Sequence, residues 1–150
     1  MTRGFTLVEL IVVLVIISAI AGLALPAYGS AVARYRLDAA AYDLSGELDR
    51  AAMHARATAT TVTIRFDTTN HLVDFDNVPD RRTAAASFTF DLREQPRDAR
   101  LVSVDFDGFD YYAVSGYGVP TSDGLVTLRN SGGARRIKVD MATAMSRVSR

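Results

Sequence analysis

From Leu10 to Leu25 every residue is apolar or small, with Ser18 and Gly22 the mildest interruptions. Counting Phe5, Leu7 and Val8, the apolar stretch is about 20 residues, enough to span a bilayer as a helix. One residue breaks the pattern. Glu9 stands where the chain turns into nearly uninterrupted hydrocarbon. A charge near the centre of a bilayer helix costs roughly 2.5–3.5 kcal/mol. Glu9 is therefore either tolerated near an interface or kept because something pairs with it. A cleaved secretory signal needs a charged start, a short apolar region and a small-residue cleavage site. Arg3 and the amino terminus supply the charge, and "LALPAY" could serve as the cleavage region. A plain membrane anchor explains the length and leaves Glu9 unexplained.

The rest of the chain has the length and ordinary composition of one compact domain. Seventeen Lys and Arg balance seventeen Asp and Glu, which argues against a globally basic nucleic-acid binder. The charge is uneven, however. Residues 71–110 lean acidic, whereas 129–150 carry Arg129, Arg135, Arg136, Lys138, Arg147 and Arg150 against Asp140. The chain has no cysteine, so a disulfide framework, a thiolate zinc site and a cysteine nucleophile are excluded.

"RGFTLVEL" resembles the type III leader of type IV pilins and secretion pseudopilins. The resemblance covers Gly4 through Pro26. It implies a peptidase cut after Gly4 on the cytoplasmic side, N-methylation of Phe5, and an assembly role for Glu9 at the fifth mature position. Pro26 falls where members commonly carry a helix-kinking proline, which suits its missing amide donor. The electrostatics fit this picture. In a filament, the new amine of a neighbouring subunit can sit beside Glu9. A buried pair lacking one partner costs roughly 3–5 kcal/mol, so the acid favours docking and sets the register. Arg3 favours a cytoplasmic amino end with the remainder outside. The implied location is the bacterial inner membrane, single-pass, with the head in the periplasm or outside, and then a periplasmic pseudopilus or surface pilus. The implied partners are other pilin or pseudopilin subunits, the prepilin peptidase, the inner-membrane assembly platform and the bilayer, with a secretin or cargo beyond them.

The expected organisation is a leader at 1–4, a membrane and assembly helix at 5–27, and a head at 28–150. Leu37, Ala41, Leu44, Leu48, Ala51 and Ala55 form one stripe of an amphipathic helix at about 28–59. Arg34 with Asp38, and Glu47 with Arg50, have helical pair spacing. From about residue 60 to 150 the pattern alternates, with hairpins around "TTNH" and "SGG" and a short last strand in "TAMSRVSR". Leu101 is expected on one face, and Val102, Val104 and Phe106 on another. The fold class is α+β, a long N-terminal helix packed on an antiparallel sheet. The segment "YAVSGYGVPTSDGLVTLRNSGGARRIKVDMATAMSRV" is similar to the GspH/FimT group, although "TAMSRV" replaces that group's Thr-Gly turn.

Catalytic signals are weak. His54 and His71 lack a metal-ligand spacing, and no Gly-x-Ser-x-Gly elbow exists. Gly116, Gly118 and Gly124 precede no helix and suit turns. Asp105, Asp107 and Asp110 beside Gly108 offer a faint calcium pattern without the distal Glu. The tail cations Arg135, Arg136, Lys138, Arg147 and Arg150 are candidates for phosphate contact. The expectation is a non-enzymatic, cofactor-free filament subunit. It is read as a minor pseudopilin of a type II secretion system supporting protein export, or alternatively a minor type IV pilin involved in pilus assembly or DNA uptake.

Overall fold

The computed structural model describes residues 6–81, 83 and 85–149, with backbone alone at 23–26. Gly4, Phe5 and Arg150 therefore lie outside the described residues, as does the side chain of Pro26. One helix, α1, runs Leu7–Thr58. At 1.5 Å per residue it is about 78 Å long. It ends at Ala59, whose left-handed backbone (φ 52°) returns its N–H to the Ala55 carbonyl. All six residues of the predicted stripe are buried.

Eight strands follow: β1 Val62–Asp67, β2 Leu72–Asp76, β3 Phe88–Asp91, β4 Arg100–Asp105, β5 Tyr111–Val114, β6 Gly124–Asn130, β7 Gly133–Asp140 and β8 Met145–Ser149. They form two antiparallel four-stranded sheets, ordered β3-β2-β1-β5 and β4-β6-β7-β8, where a single sheet was expected. The division arises because β4 pairs with β6 and β5 returns to β1. Asp107 and Gly108 both take positive φ between Phe106 and Phe109, as a two-residue primed turn requires. Both sheets turn alternate residues into one core against α1, including Ile64, Phe75, Leu128 and Ile137. Within it Phe106 stacks on Phe66 and Tyr112, with ring centroids 5.5 and 4.4 Å away. Burial, with Asp49 as a second influence, pushes the Tyr112 hydroxyl well above its ordinary pKa. In the β1–β2 turn, the backbone N–H of Asn70 leads the hydrogen bonds that hold Asp67 below the usual carboxylate range.

In β4 the expected facing changes midway. Leu101 pairs with Leu128 and Ser103 with Thr127, so Val102 bulges out and is half exposed. The extra residue brings Leu101, Val104 and Phe106 to the same interior. The helix pair Arg34–Asp38 does not form; Asp38 binds Arg135 of β7 instead. Glu47 and Arg50 do pair, and Arg50 lies 4.6 Å over the Phe88 ring.

Polar contacts fix the head on the helix. Asn130 Nδ2 donates to the Ala33 carbonyl at 2.7 Å. Ser146 donates from its backbone N–H and from its hydroxyl to Asp49, each at 2.9 Å. In the β6–β7 turn, Gly132 lies so close that a Cβ would meet the Arg34 backbone nitrogen at 2.5 Å. The head thus grips α1 from about residue 33 onward, and the preceding part projects free. Ala144, in the turn where the resemblance has Thr-Gly, takes φ 52°, a region that favours glycine.

Two opposite glycine effects follow. Gly132→Ala should lower stability by about 1–3 kcal/mol, because the methyl meets helix backbone that cannot yield. Ala144→Gly should raise it by up to about 1 kcal/mol by releasing left-handed strain. Thermal unfolding of the purified full chain reads both.

Candidate assembly site

The projecting start of α1 begins with a cap. Thr6 is extended (φ −80°, ψ 150°), and its Oγ1 accepts the N–H of Glu9 at 3.2 Å. Thr6-x-x-Glu9 is the sequence pattern of a capping box. That spacing is the sequence signal for the cap, which the charge of Glu9 in its hydrocarbon context does not itself reveal. Glu9 also stands in the first turn, near the positive end of the helix dipole. It therefore has a local reason to be acidic besides any partner.

Beyond Glu9, residues 10–22 are all exposed; Ile16 is 53% and Ile20 64% accessible. The polar hydroxyl of Ser18 turns back to the Leu14 carbonyl at 2.7 Å. No backbone or side-chain group in this part of the helix needs water. The helix is long and apolar enough to cross a membrane. Large contiguous apolar surface of this kind has to be covered by lipid or protein.

Further along, Tyr28, Tyr35 and Tyr42 are exposed at seven-residue intervals. They line the side of α1 opposite the buried Leu37–Ala55 stripe and extend the exposed apolar strip toward the head. This stripe went unread in the sequence, although its heptad spacing was legible there. Helical backbone continues through position 26.

The tail cations divide between two faces. Arg135 is turned inward, 9% exposed, bound to the Asp38 carboxylate and donating from Nη1 to the Ala134 carbonyl. It is thereby removed from the predicted phosphate-contacting group. Arg136, Lys138 and Arg147 are exposed on the outer side of the β4-β6-β7-β8 sheet, where they are joined by Arg100 and Arg129.

The remaining candidates are scattered. His54 sits on α1; His71 is in the β1–β2 turn, its Nδ1 buried without a hydrogen-bond partner. Asp105 Oδ1 accepts the Gly108 N–H, which shapes the turn. Among the described residues no group of three or more His, Cys, Asp or Glu is placed to hold a metal. Gly118 lies in a turn closed by its own N–H on the Ser115 carbonyl, whereas Gly124 opens β6.

Comparison with known proteins agrees with this arrangement. Residues 1–25 match the family model described as the prokaryotic N-terminal methylation motif. No curated protein sequence matches the chain. Among solved structures, the crystal structure of the type IV minor pilin FimU of Pseudomonas aeruginosa is similar in fold. Its TM-score is 0.58 at 13% identity, over 78% of this chain and 90% of that one. The chain thus carries a prokaryotic N-terminal methylation motif on an exposed apolar helix, and its head of two antiparallel sheets gripping the rest of that helix has a type IV pilin-like fold.

Proposed function

We propose that this chain is a minor filament subunit of the GspH/FimT kind, working in a type II secretion pseudopilus that supports protein export. The carrying observation is the apolar projection of α1, uncovered by its own head and introduced by a single acid at Glu9. The inner-membrane precursor is cut between Gly4 and Phe5 by a prepilin peptidase, and Phe5 is methylated. The head lies in the periplasm, and the leader at 1–4 stays on the cytoplasmic side. Glu9 receives the amine of the adjacent subunit as the helix leaves lipid for the fibre. Pro26 bends the helix between its membrane part and the part held by the head. The assembly platform and neighbouring pseudopilins are the direct partners; the secretin and cargo are met later. The head acts as a structural part, not as an enzyme.

A second reading is favoured by the exposed cations Arg100, Arg129, Arg136, Lys138 and Arg147 on one sheet face. In it, the chain is a minor type IV pilin that contacts DNA during uptake. Each lost phosphate contact lowers the salt slope of binding by about 1. Arg136→Ala and Lys138→Ala should then weaken retention of duplex DNA, measured by gel shift across a salt series.

Processing and assembly are tested separately. Gly4→Val should leave the precursor at full length, read by mass spectrometry of membrane extracts; normal shortening contradicts the assigned cut. Glu9→Ala should insert and be processed yet fail to enter filaments, read by its share in sheared fibres. Incorporation at the wild-type level removes the role given to Glu9.

A further inference from the structure

The β4-β6-β7-β8 sheet carries its charge in a gradient along the axis of α1. The contacts of Asn130 with Ala33, Arg135 with Asp38 and Ser146 with Asp49 fix how the sheet lies on the helix. The β6–β7 turn is therefore at the base of the head, the end nearer the apolar projection. Arg129 precedes that turn and stands opposite Arg100 of β4. Arg136 lies a step farther along β7, and Lys138, opposite Arg147, farther again. Asp105 and Asp140 occupy the far end of the same sheet, where Asp123 accepts the Met141 N–H. Between Ala33 and Asp49 the helix rises about 24 Å. Cations thus gather at the base and acids at the tip.

The charge of the base is unspent. Most of its acids are engaged: Asp38 by Arg135, Asp43 and Glu94 by Arg97, and Asp91 by Arg93. Among the described residues, Arg34, Arg36, Arg100 and Arg129 have no ion pair. Arg34 is exposed on α1 beside the β6–β7 turn, and Arg36 is half-buried there. Arg100 and Arg129 face each other directly, an arrangement that destabilises a sheet. They line a cleft of about 520 Å³ together with Ser131 and the bulged Val102. Asp98 shares this cleft, so the base sets four free cations against one acid.

We infer that this arginine-rich base docks on anionic phospholipid headgroups and holds the head against the outer surface of the bilayer before assembly. The inference rests on the membrane-anchored reading given above. Height selects the occupant. The apolar run ends at Leu25, and Tyr28, 72% exposed, follows at the level where aromatic side chains settle among headgroups. Ala33 lies about 12 Å beyond Leu25 along the axis. The headgroup layer occupies about 5–8 Å of that distance. The remaining gap is shorter than the Debye length of about 8 Å and is bridged by the stem of an arginine. A bend at Pro26 shortens it further. The charge gradient also favours a flat anionic layer over a nucleic acid. A duplex lying along the sheet meets Asp105 and Asp140 at the tip, whereas a bilayer meets the base alone.

Four exposed or half-exposed arginines bind headgroups weakly when free in solution. Here the membrane part of α1 holds them beside the lipid, so docking is intramolecular and proceeds at high effective concentration. The contact then sets the tilt and rotation of the head on the bilayer. When α1 leaves lipid for the fibre, the base rises past the screening length and the contact is lost. Docking therefore belongs to the membrane stage alone and requires no second copy of this chain.

The chain has no native cysteine, so an introduced thiol takes a fluorophore at one place. Full-length chain labelled at Ser149→Cys, opposite Arg136 and outside the cleft, is reconstituted in two kinds of vesicle. One is phosphatidylcholine alone; the other is equal parts phosphatidylcholine and phosphatidylglycerol. Both contain a nitroxide-headgroup lipid that quenches on close approach. Quenching should be stronger with phosphatidylglycerol and should fade as salt is added. A label at Met141→Cys, in the turn at the tip, should show little of this difference. Arg100→Gln with Arg129→Gln, and separately Arg34→Gln with Arg36→Gln, should lower the docked-to-free ratio about fivefold per arginine. Lys138→Gln with Arg147→Gln should leave it unchanged. Thermal unfolding checks that each variant is folded. If the chain floats with both vesicles but is quenched equally, or if the base variants change nothing, the docking is wrong and the anchor stands. If it floats with neither, the membrane reading falls and the inference with it. If phosphatidylglycerol has no effect and Arg100→Gln with Arg129→Gln instead abolishes salt-sensitive DNA retention, the base serves nucleic acid and the inference is overturned.

Discussion

A single helix shared between two solvents governs this structure. Helical backbone runs unbroken from Leu7 to Thr58, and apart from its ends and the amide-free Pro26 its hydrogen bonds are made within the helix, so the chain can pass from one environment to the other without breaking. The side chains then decide where each part goes. Up to residue 22 the surface is hydrocarbon with no internal partner. From Leu37 onward one side fits the interior of two sheets. The first part is unstable in water, and the second would be unstable without the sheets. The molecule is thus incomplete as a soluble monomer for the same reason that its head is well packed.

The polar groups inside the head deal with a different problem, which is register. Hydrophobic burial is non-directional and would permit α1 to slide or rotate against the sheets. Directional contacts remove that freedom: Asn130 on the Ala33 carbonyl, Arg135 on Asp38, and Ser146 on Asp49. They are spread over about four turns of helix. A half-buried ion pair such as Arg135–Asp38 adds little net stability, but removing the acid leaves the buried Arg135 with a stranded charge. Its effect is therefore to exclude alternatives. In the filament proposed above, fixing the helix in this way would fix which side it turns outward, here the side bearing the exposed Tyr28, Tyr35 and Tyr42.

Elements with strong periodicity were legible in the sequence. The buried stripe of α1 and the β1–β2 and β6–β7 hairpins needed only spacing and turn chemistry. The α+β class was legible for the same reason, whereas the start was legible through its resemblance to the pilin leader, which the match over residues 1–25 supports. Three features were not. The division into two sheets depends on which distant strands pair, and alternation says nothing about that choice. The β4 bulge reverses facing at Val102, and a period-two reading cannot anticipate an inserted residue. Arg135 is indistinguishable in sequence from Arg136, yet one faces Asp38 and the other solvent. Strand parity separates the two, but only the position of the helix says which parity is inside. The candidate site was legible in its residue types and not in its grouping: Arg100 and Arg129 join the basic face only through pairing across strands.

Glu9 can now be placed more fully than a charge in hydrocarbon. Each helix start leaves four N–H groups without partners, a serious cost where no water is available. Thr6 accepts one of them, from Glu9 itself, and the glutamate stands where the helix dipole is positive. The acid is therefore partly compensated in the isolated subunit, which allows a single copy to reside in a bilayer. In the processed chain proposed above, the new amine at Phe5 immediately precedes this cap, so cation and anion occupy one helix end. In that proposal the carboxylate has two settings: beside the positive end of its own helix in the membrane, or beside a neighbour's amine in the fibre. Assembly as proposed would exchange one partly compensated arrangement for another, so that the charge is not left bare between them. On the proposed function, an apolar residue at position 9 would keep the Thr6 cap, which uses only the backbone N–H, and lose the charge that sets one subunit's height beside the next.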